Sequence, residues 1–588
     1  MLAISTITWT QVHPGSEPVD QAQFASALST ETVLEVVAWL GCLFGQRSTG
    51  QLLIERGTQI QIAHQLLSRS SAATVTGLLQ RGEGATFLSE EQLLTAARLA
   101  VLNGLDRDPY VLADGATGEL LLRINDELYP DHDTDDEARS GLVPLVLRQF
   151  GFDRNEQERY LLPRYFDLLI TRGIPLLVDG QEQTPADLFT RALGISPQEY
   201  MACGLLSAAA FHAVSNVQGL RRASQQLDEW LRSLKKPELE HSMALYAGDR
   251  AGLKNAFAEY AISGGRTLMP FREKPLFRKA DGPLIPVSVR VLLEKVAMGV
   301  YWELHKYFRE RQQVGTLTAY LGPVFQSYLS DILDDIFRPI PNASYYPEAS
   351  VRRVAGRKRA QEAPPFDAAI VEGDALILIE KTTTALPALL LEAGDPDKLF
   401  SDPSADAPEE RKPDRKFVEK LRQLQDAVNE LGTKWQIDDV DLRQIRTVYP
   451  VIALLHPFPQ TPDVWARLRT AADDKWPEWP QGKSLGEGWQ PVDVRIPAIL
   501  TMEEMEMIEP LLRSGTQYLS GLLEAKLQDP NFAQGDTKTW LFISSGIDLP
   551  DNERLLHRFE EIKDELLATL GVDQGVSDAA ANGPALPE

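Results

Sequence analysis

The stretch Pro364–Thr384, PPFDAAIVEGDALILIEKTTT, decides how this chain is read. Two short apolar runs flank Glu372-Gly373-Asp374, which predicts two strands joined by a tight turn. Each strand delivers one carboxylate, Asp367 near the start of the first and Glu380 near the end of the second. Two acids on adjacent strand ends suit a hard divalent cation such as Mg²⁺, which prefers oxygen ligands and keeps several waters. The competing expectation is a pair of exposed acids at strand ends with no joint role.

The neighbouring sequence supplies partners for such a hairpin. GTLTAYLGPVFQSYLSDILDDIF, from Gly315, has the apolar spacing of a helix, as does KFVEKLRQLQDAVNEL, from Lys416. QIRTVYPVIALL, from Gln444, reads as a further strand. Between hairpin and second helix, residues 392–416 form a long polar loop rich in acids and prolines.

Helix, strand, strand, helix, strand over residues 316–460, with an Asp and then a Glu on the hairpin, resembles the core of the PD-(D/E)XK nuclease superfamily. The resemblance implies an α/β domain with a mixed central sheet. It also implies Asp367 and Glu380 as Mg²⁺ ligands, and DNA or RNA as the substrate of a phosphodiesterase. Such proteins often serve bacterial restriction, repair or phage defence. Two positions depart from the pattern. The family's Lys falls on Thr382, and the first-helix Glu that often follows a Phe is replaced in Phe325-Gln326. Lys416, Lys420 and Gln423 stand on the helix where such proteins often place a Gln or a basic residue facing the site.

Strand geometry sharpens the first departure. Alternate side chains share a face, so Glu380 and Thr382 point one way and Lys381 the other. Lys381 is therefore expected to be an outward, solvated lysine unless a bulge re-aims it into a catalytic role. A Thr382 hydroxyl cannot carry the positive charge that stabilises a phosphorane-like transition state. Lys416 and Lys420 are expected on a solvated helix face, the alternative being a lysine that has migrated there and reaches the metal site.

Arg352, Arg353, Arg357, Lys358 and Arg359 cluster just before the hairpin with no acid between them. The cluster would suit a phosphate backbone near the metal. A loop neutralising the acidic segment, or a plain solvated loop, are the other readings. The whole chain carries a net charge of −25, which argues against a protein coated in nucleic acid but not against a local basic groove.

At 588 residues the chain exceeds a single core. The expected organisation is a helical N-terminal region over 1–262, a connector and helix over 263–315, the nuclease-like domain over 316–460, a helical C-terminal extension over 461–570 and a disordered tail over 571–588. The fold class is α+β, mostly α. Ser89 with Gln92, and Thr501 with Glu504, mark helix starts as capping boxes. Residues 461–490 read as irregular, and KTWLFISSG, from Lys538, as a short strand. Cys42 and Cys203 sit in apolar helical patterns and read as buried thiols, without a disulfide framework. The start of the chain lacks a basic n-region and an apolar h-region, and no apolar run reaches 18 residues, so a cytoplasmic protein without a membrane span is expected.

Several motifs fail on inspection. Gly482-Lys483-Ser484 resembles a phosphate loop, but its first glycine position holds Pro477. The acidic run from Asp131 has Asp136 and Leu142 where a calcium loop needs Gly and Glu. The leading function is a metal-dependent nuclease of conditional activity. The alternative is a catalytically inactive nuclease fold that acts as a binding or assembly module, with partner proteins or further copies of the chain. A purely helical scaffold with an incidental acidic pair is the third reading.

Overall fold

The computed structural model describes residues 5–17, 19–45, 54–82, 85–106, 115–129, 158–234, 237–260, 267–354, 364–384, 391, 413–472, 477–479, 482–485 and 489–571. Arg357, Lys358, Arg359, residues 392–412 of the polar, acidic segment and the tail from residue 572 lie outside these residues, as does the Lys416 side chain.

The chain is α+β and mostly α. Helices dominate the first 340 residues because apolar stripes recur at helical spacing and their ends are chemically closed. Ser89 Oγ accepts the Gln92 N–H, and Gln92 returns its side-chain oxygen to the Ser89 N–H, each at 3.2 Å. Thr501 and Glu504 do the same. No described helix is long and apolar enough to cross a membrane. Both cysteines are buried free thiols.

A seven-stranded mixed sheet carries the hairpin. Its strands in chain order are β1 (Ala343–Pro347), β2 (Ala368–Glu372), β3 (Ala375–Thr382), β4 (Thr447–Leu454), β5 (Lys483–Ser484), β6 (Pro491–Val494) and β7 (Ala498–Thr501). The spatial order is β5-β6-β4-β3-β2-β1, and β7 pairs with β4 beyond β6. β2 and β3 are antiparallel with Glu372 opposite Ala375, which leaves Gly373-Asp374 as the turn. Gly373 takes φ +60°, a conformation that costs glycine nothing. β3 and β4 run parallel over eight pairs.

Two helices cover the two faces. Helix α1 (Val314–Phe337) packs on one side and α2 (Pro413–Glu430) on the other. Ile377 and Ile379 belong to the α1 core, whereas Leu376 and Leu378 belong to the α2 core. Every residue of β3 is buried, as expected for a central strand clothed on both faces. The α1 core is continuous with the core of the helical half; the α2 core is a separate cluster.

Three sequence expectations change. KTWLFISSG does not form a strand: Thr537–Ile543 is helical. Asp536 caps it by accepting the Thr539 N–H, and the Glu504 carboxylate accepts the Thr537 and Lys538 N–H groups. Carboxylates at a helix N-terminus outweigh the aromatic and β-branched content of the run. Residues 461–490 include a regular helix, Pro462–Ala472, opened by Thr461, whose hydroxyl accepts the Val464 N–H. The helix expected from Lys416 begins earlier, because Pro413 takes the first helical position, where its missing N–H costs no bond.

Candidate functional site

The ladder between β2 and β3 ends at Ala368 opposite Ile379, so Asp367 stands across from Glu380. Here the regular pairing stops. The Asp367 N–H donates to the Ile379 carbonyl at 3.0 Å, and the Lys381 N–H donates to Asp367 Oδ2 at 2.7 Å. The Asp367 side chain thus takes the place of a backbone acceptor at the end of the hairpin. Its Oδ1 accepts the Gln326 side-chain amide of α1 at 3.0 Å.

Glu380 continues the face of Leu376 and Leu378, towards α2. It is 4 % exposed. Lys420 reaches it from α2, with Nζ 2.5 Å from Glu380 Oε1, and Gln423, three residues on, accepts from the same ammonium at 2.9 Å. The α2 spacing explains the approach. Phe417, Leu421 and Leu424 bury one stripe, and Lys420 flanks it with its stem against protein and its head on the acid. Burial pushes the Glu380 carboxyl up to about 7; the neighbouring Asp367 charge adds to the rise and Lys420 opposes it. Burial likewise raises Asp367, against the pull of the Lys381 N–H and of the Lys420 and Lys381 charges.

Lys381 occupies the opposite face. It too is 4 % exposed, so the expected solvated lysine is corrected to a buried one. Its ammonium lies 2.6 Å from Ser330 Oγ, 3.3 Å from the Tyr345 hydroxyl and 3.4 Å from the Gln326 carbonyl. These acceptors are neutral. Burial lowers the Lys381 amine to about 8, with the charges of Asp367 and Glu348 holding it up.

The strand alternation therefore holds, and the assignment of the lysines does not. Lys420, expected on a solvated face, supplies the positive charge at Glu380. Thr382 lies on the Glu380 side, where its Oγ1 meets Thr384 Oγ1 at 2.9 Å and accepts the Thr384 N–H. Gln326 donates its side-chain amide to Asp367. Asp367 and Glu380 are not solvated strand ends but a coupled, largely buried pair. Arg352 and Arg353 belong to a separate two-stranded ladder, Val351–Arg353 with Trp435–Ile437. Arg352 is paired there with Asp438 at 2.7 Å.

Sequence reading missed Ser330, Tyr345 and Glu348. Ser330 is four residues after Gln326 and so shares its helix face, a signal that was readable. Tyr345 lies on β1, whose short AlaSerTyrTyrPro run carries no alternation, and Glu348 opens the 3₁₀ turn Glu348–Ser350 that follows it. Glu348 is itself raised, by burial and then by the Asp367 charge.

Among the described residues no group of three His, Cys, Asp or Glu side chains is arranged to hold a metal ion. The donor chemistry fits a hard cation on the carboxylate pair, with water on its remaining positions. Burial disfavours the charged form of both acids, and a bound cation would relieve that cost. No protein-family model matches the chain, and neither curated proteins nor solved structures give a significant match.

Proposed function

We propose that Asp367, Glu380 and Lys420 form the active site of a Mg²⁺-dependent phosphodiesterase acting on DNA or RNA. The observation that carries the reading is the Lys420 ammonium 2.5 Å from Glu380, where its charge also acts on Asp367. It supports a site in which the positive charge missing at Thr382 arrives from α2 instead. Asp367 and Glu380 would hold the cation, which when bound lowers the pKa of a water and offsets phosphate charge. Lys420 would turn from Glu380 towards the non-bridging phosphate oxygens and stabilise the charge that grows on them in the transition state. Gln423 keeps its ammonium in place before substrate arrives. Lys381 N–H and Gln326 hold Asp367 in one rotamer, so little reorganisation is left for the chemical step.

The test is incubation of the whole chain with Mg²⁺ or Mn²⁺ and single- and double-stranded DNA and RNA. Cleavage should fall at least about 10³-fold in Asp367→Asn, which keeps size and loses the charge. Cleavage untouched by that change would refute the assignment. A second reading, an inactive nuclease fold used for binding, draws on a specific observation. Both Asp367 oxygens are already hydrogen-bonded within the protein. Absence of cleavage under all conditions, with nucleic-acid binding retained in Asp367→Asn, would select it.

A further inference from the structure

Helix α1 meets the carboxylate site and the helical half with side chains one residue apart. Gln326 and Ser330, four apart on one edge, hold Asp367 and Lys381. Ser327 and Asp331, four apart on the adjoining edge, are both held by Arg172. One Arg172 nitrogen donates to Ser327 Oγ and another to Asp331 Oδ2, each at 2.7 Å. The same guanidinium lies over the Tyr328 ring, 5.3 Å from its centre. Arg172 is itself fixed. It closes the π-helical turn Asp167–Thr171, where Arg558 from the C-terminal helix grips Asp167 and Thr171, each at 2.9 Å. Tyr328 adds a second anchor by donating to Glu506, which is paired with the fully buried Arg164.

The orientation of Gln326 follows from chemistry. A carboxylate only accepts hydrogen bonds, so the amide nitrogen, not its oxygen, faces Asp367. Gln326 is then a donor, and its backbone carbonyl accepts from Lys381 at the same time. A hydrogen bond of this kind weakens steeply with a few tenths of an ångström or a tilt of the donor. Any turn of α1 about its axis moves both edges together.

We propose that Gln326 is a positioning residue for the Asp367 carboxylate and that Arg172, by gripping the adjoining edge of α1, positions Gln326. The cation affinity of the carboxylate pair would thus depend on how the helical half holds one helix. This rests on the metal-site reading given under Proposed function.

The experiment is calorimetric titration of the full-length chain with Mg²⁺, repeated with Mn²⁺, alongside melting temperatures. Gln326→Leu should weaken cation binding about 10-fold, the lower end of what loss of a ligand's supporting hydrogen bond costs. Arg172→Ala should weaken it about 3-fold, within the range of couplings carried through packed elements. Asp331→Asn, which acts on the same grip from an exposed position, should follow Arg172→Ala and covers the case where Arg172→Ala misfolds. The Arg172→Ala/Gln326→Leu double variant should be no weaker than Gln326→Leu alone, because both changes act on one bond. Additive losses, or affinities that ignore all three changes, would overturn the coupling while leaving the metal site standing. A wild-type chain that binds neither cation would overturn the metal-site reading, and the coupling with it.

Discussion

Glu380 and Lys381 are chain neighbours with the same exposure and opposite surroundings. On the α2 face, the Glu380 carboxylate meets the Lys420 ammonium and the charge of Asp367. On the α1 face, the Lys381 ammonium meets a hydroxyl, a phenol and a carbonyl, all neutral. One face of the strand end concentrates ionisable groups whose charge another ligand could exchange for its own. The other encloses a cation in fixed dipoles. A single residue step along a strand separates an ionic set of partners from a neutral one.

Exchanging each lysine for methionine tests the contrast most sharply. Lys420→Met should lower cleavage about 10²-fold, the scale for losing one preorganised charge at a reacting phosphate. Its melting temperature should move little, because Lys420 is partly solvated and Glu380 can take up a proton. Lys381→Met should do the reverse. A buried ammonium held by neutral acceptors carries a large desolvation cost, so an apolar chain of similar length should leave stability unchanged or raise it by about 1–2 kcal/mol. Cleavage should stay within about 10-fold, since the backbone N–H that holds Asp367 remains. Loss of cleavage in Lys381→Met with full cleavage in Lys420→Met would reverse the assignment of the two faces.

Half of this contrast was legible in the sequence. The alternation that separates Glu380 from Lys381 follows from strand period alone, and the two acids follow from the hairpin. The sequence left two readings of Lys420, a solvated helix face or a lysine that reaches the acids, because the choice depends on where α2 lies across the sheet, and helical periodicity fixes a helix's buried stripe but not its lateral position. Gln326 was legible as the residue in the family's Glu position, but its role as a donor was not, because the carboxylate that faces it decides that role. β1 was missed because the Asn342–Pro347 run offers neither alternation nor a hairpin turn, and its pairing with β2 supplies the order instead.

The two faces also predict opposite pH limbs for the metal-free protein. The Glu380 carboxyl rises from an ordinary 4.5 to about 7. Between those values the folded chain keeps a proton that the unfolded chain has released, so stability falls as pH climbs from about 4.5 to 7. The shift corresponds to about 3 kcal/mol across the whole window. Lys381 falls from 10.5 to about 8. Between those values the unfolded chain holds the extra proton, so stability recovers as pH rises from about 8 to 10.5. Denaturant midpoints measured across pH should show Glu380→Gln flattening the lower limb and Lys381→Met the upper one. If Glu380→Gln left the lower limb as steep as in the wild type, the buried, coupled state of the acid would be disproved.

The smallest effect is expected away from both faces, at Arg352. Its guanidinium is already neutralised by Asp438, and its side chain is 69 % exposed. In a chain of net charge −25, any nucleic acid must be held by local cations, and each phosphate contact contributes to the salt dependence of binding. If Arg352 contributes one contact, Arg352→Ala should weaken binding uniformly across sequences and reduce the slope of log affinity against log salt by about 1. Asp438→Asn should act in the opposite direction, because it releases the same guanidinium from its internal partner. Filter-binding isotherms over a salt series decide the matter. A slope unchanged in both variants would assign Arg352 to the Val351–Arg353 ladder alone, and would confine any nucleic-acid contact in this region to the other basic positions of the cluster.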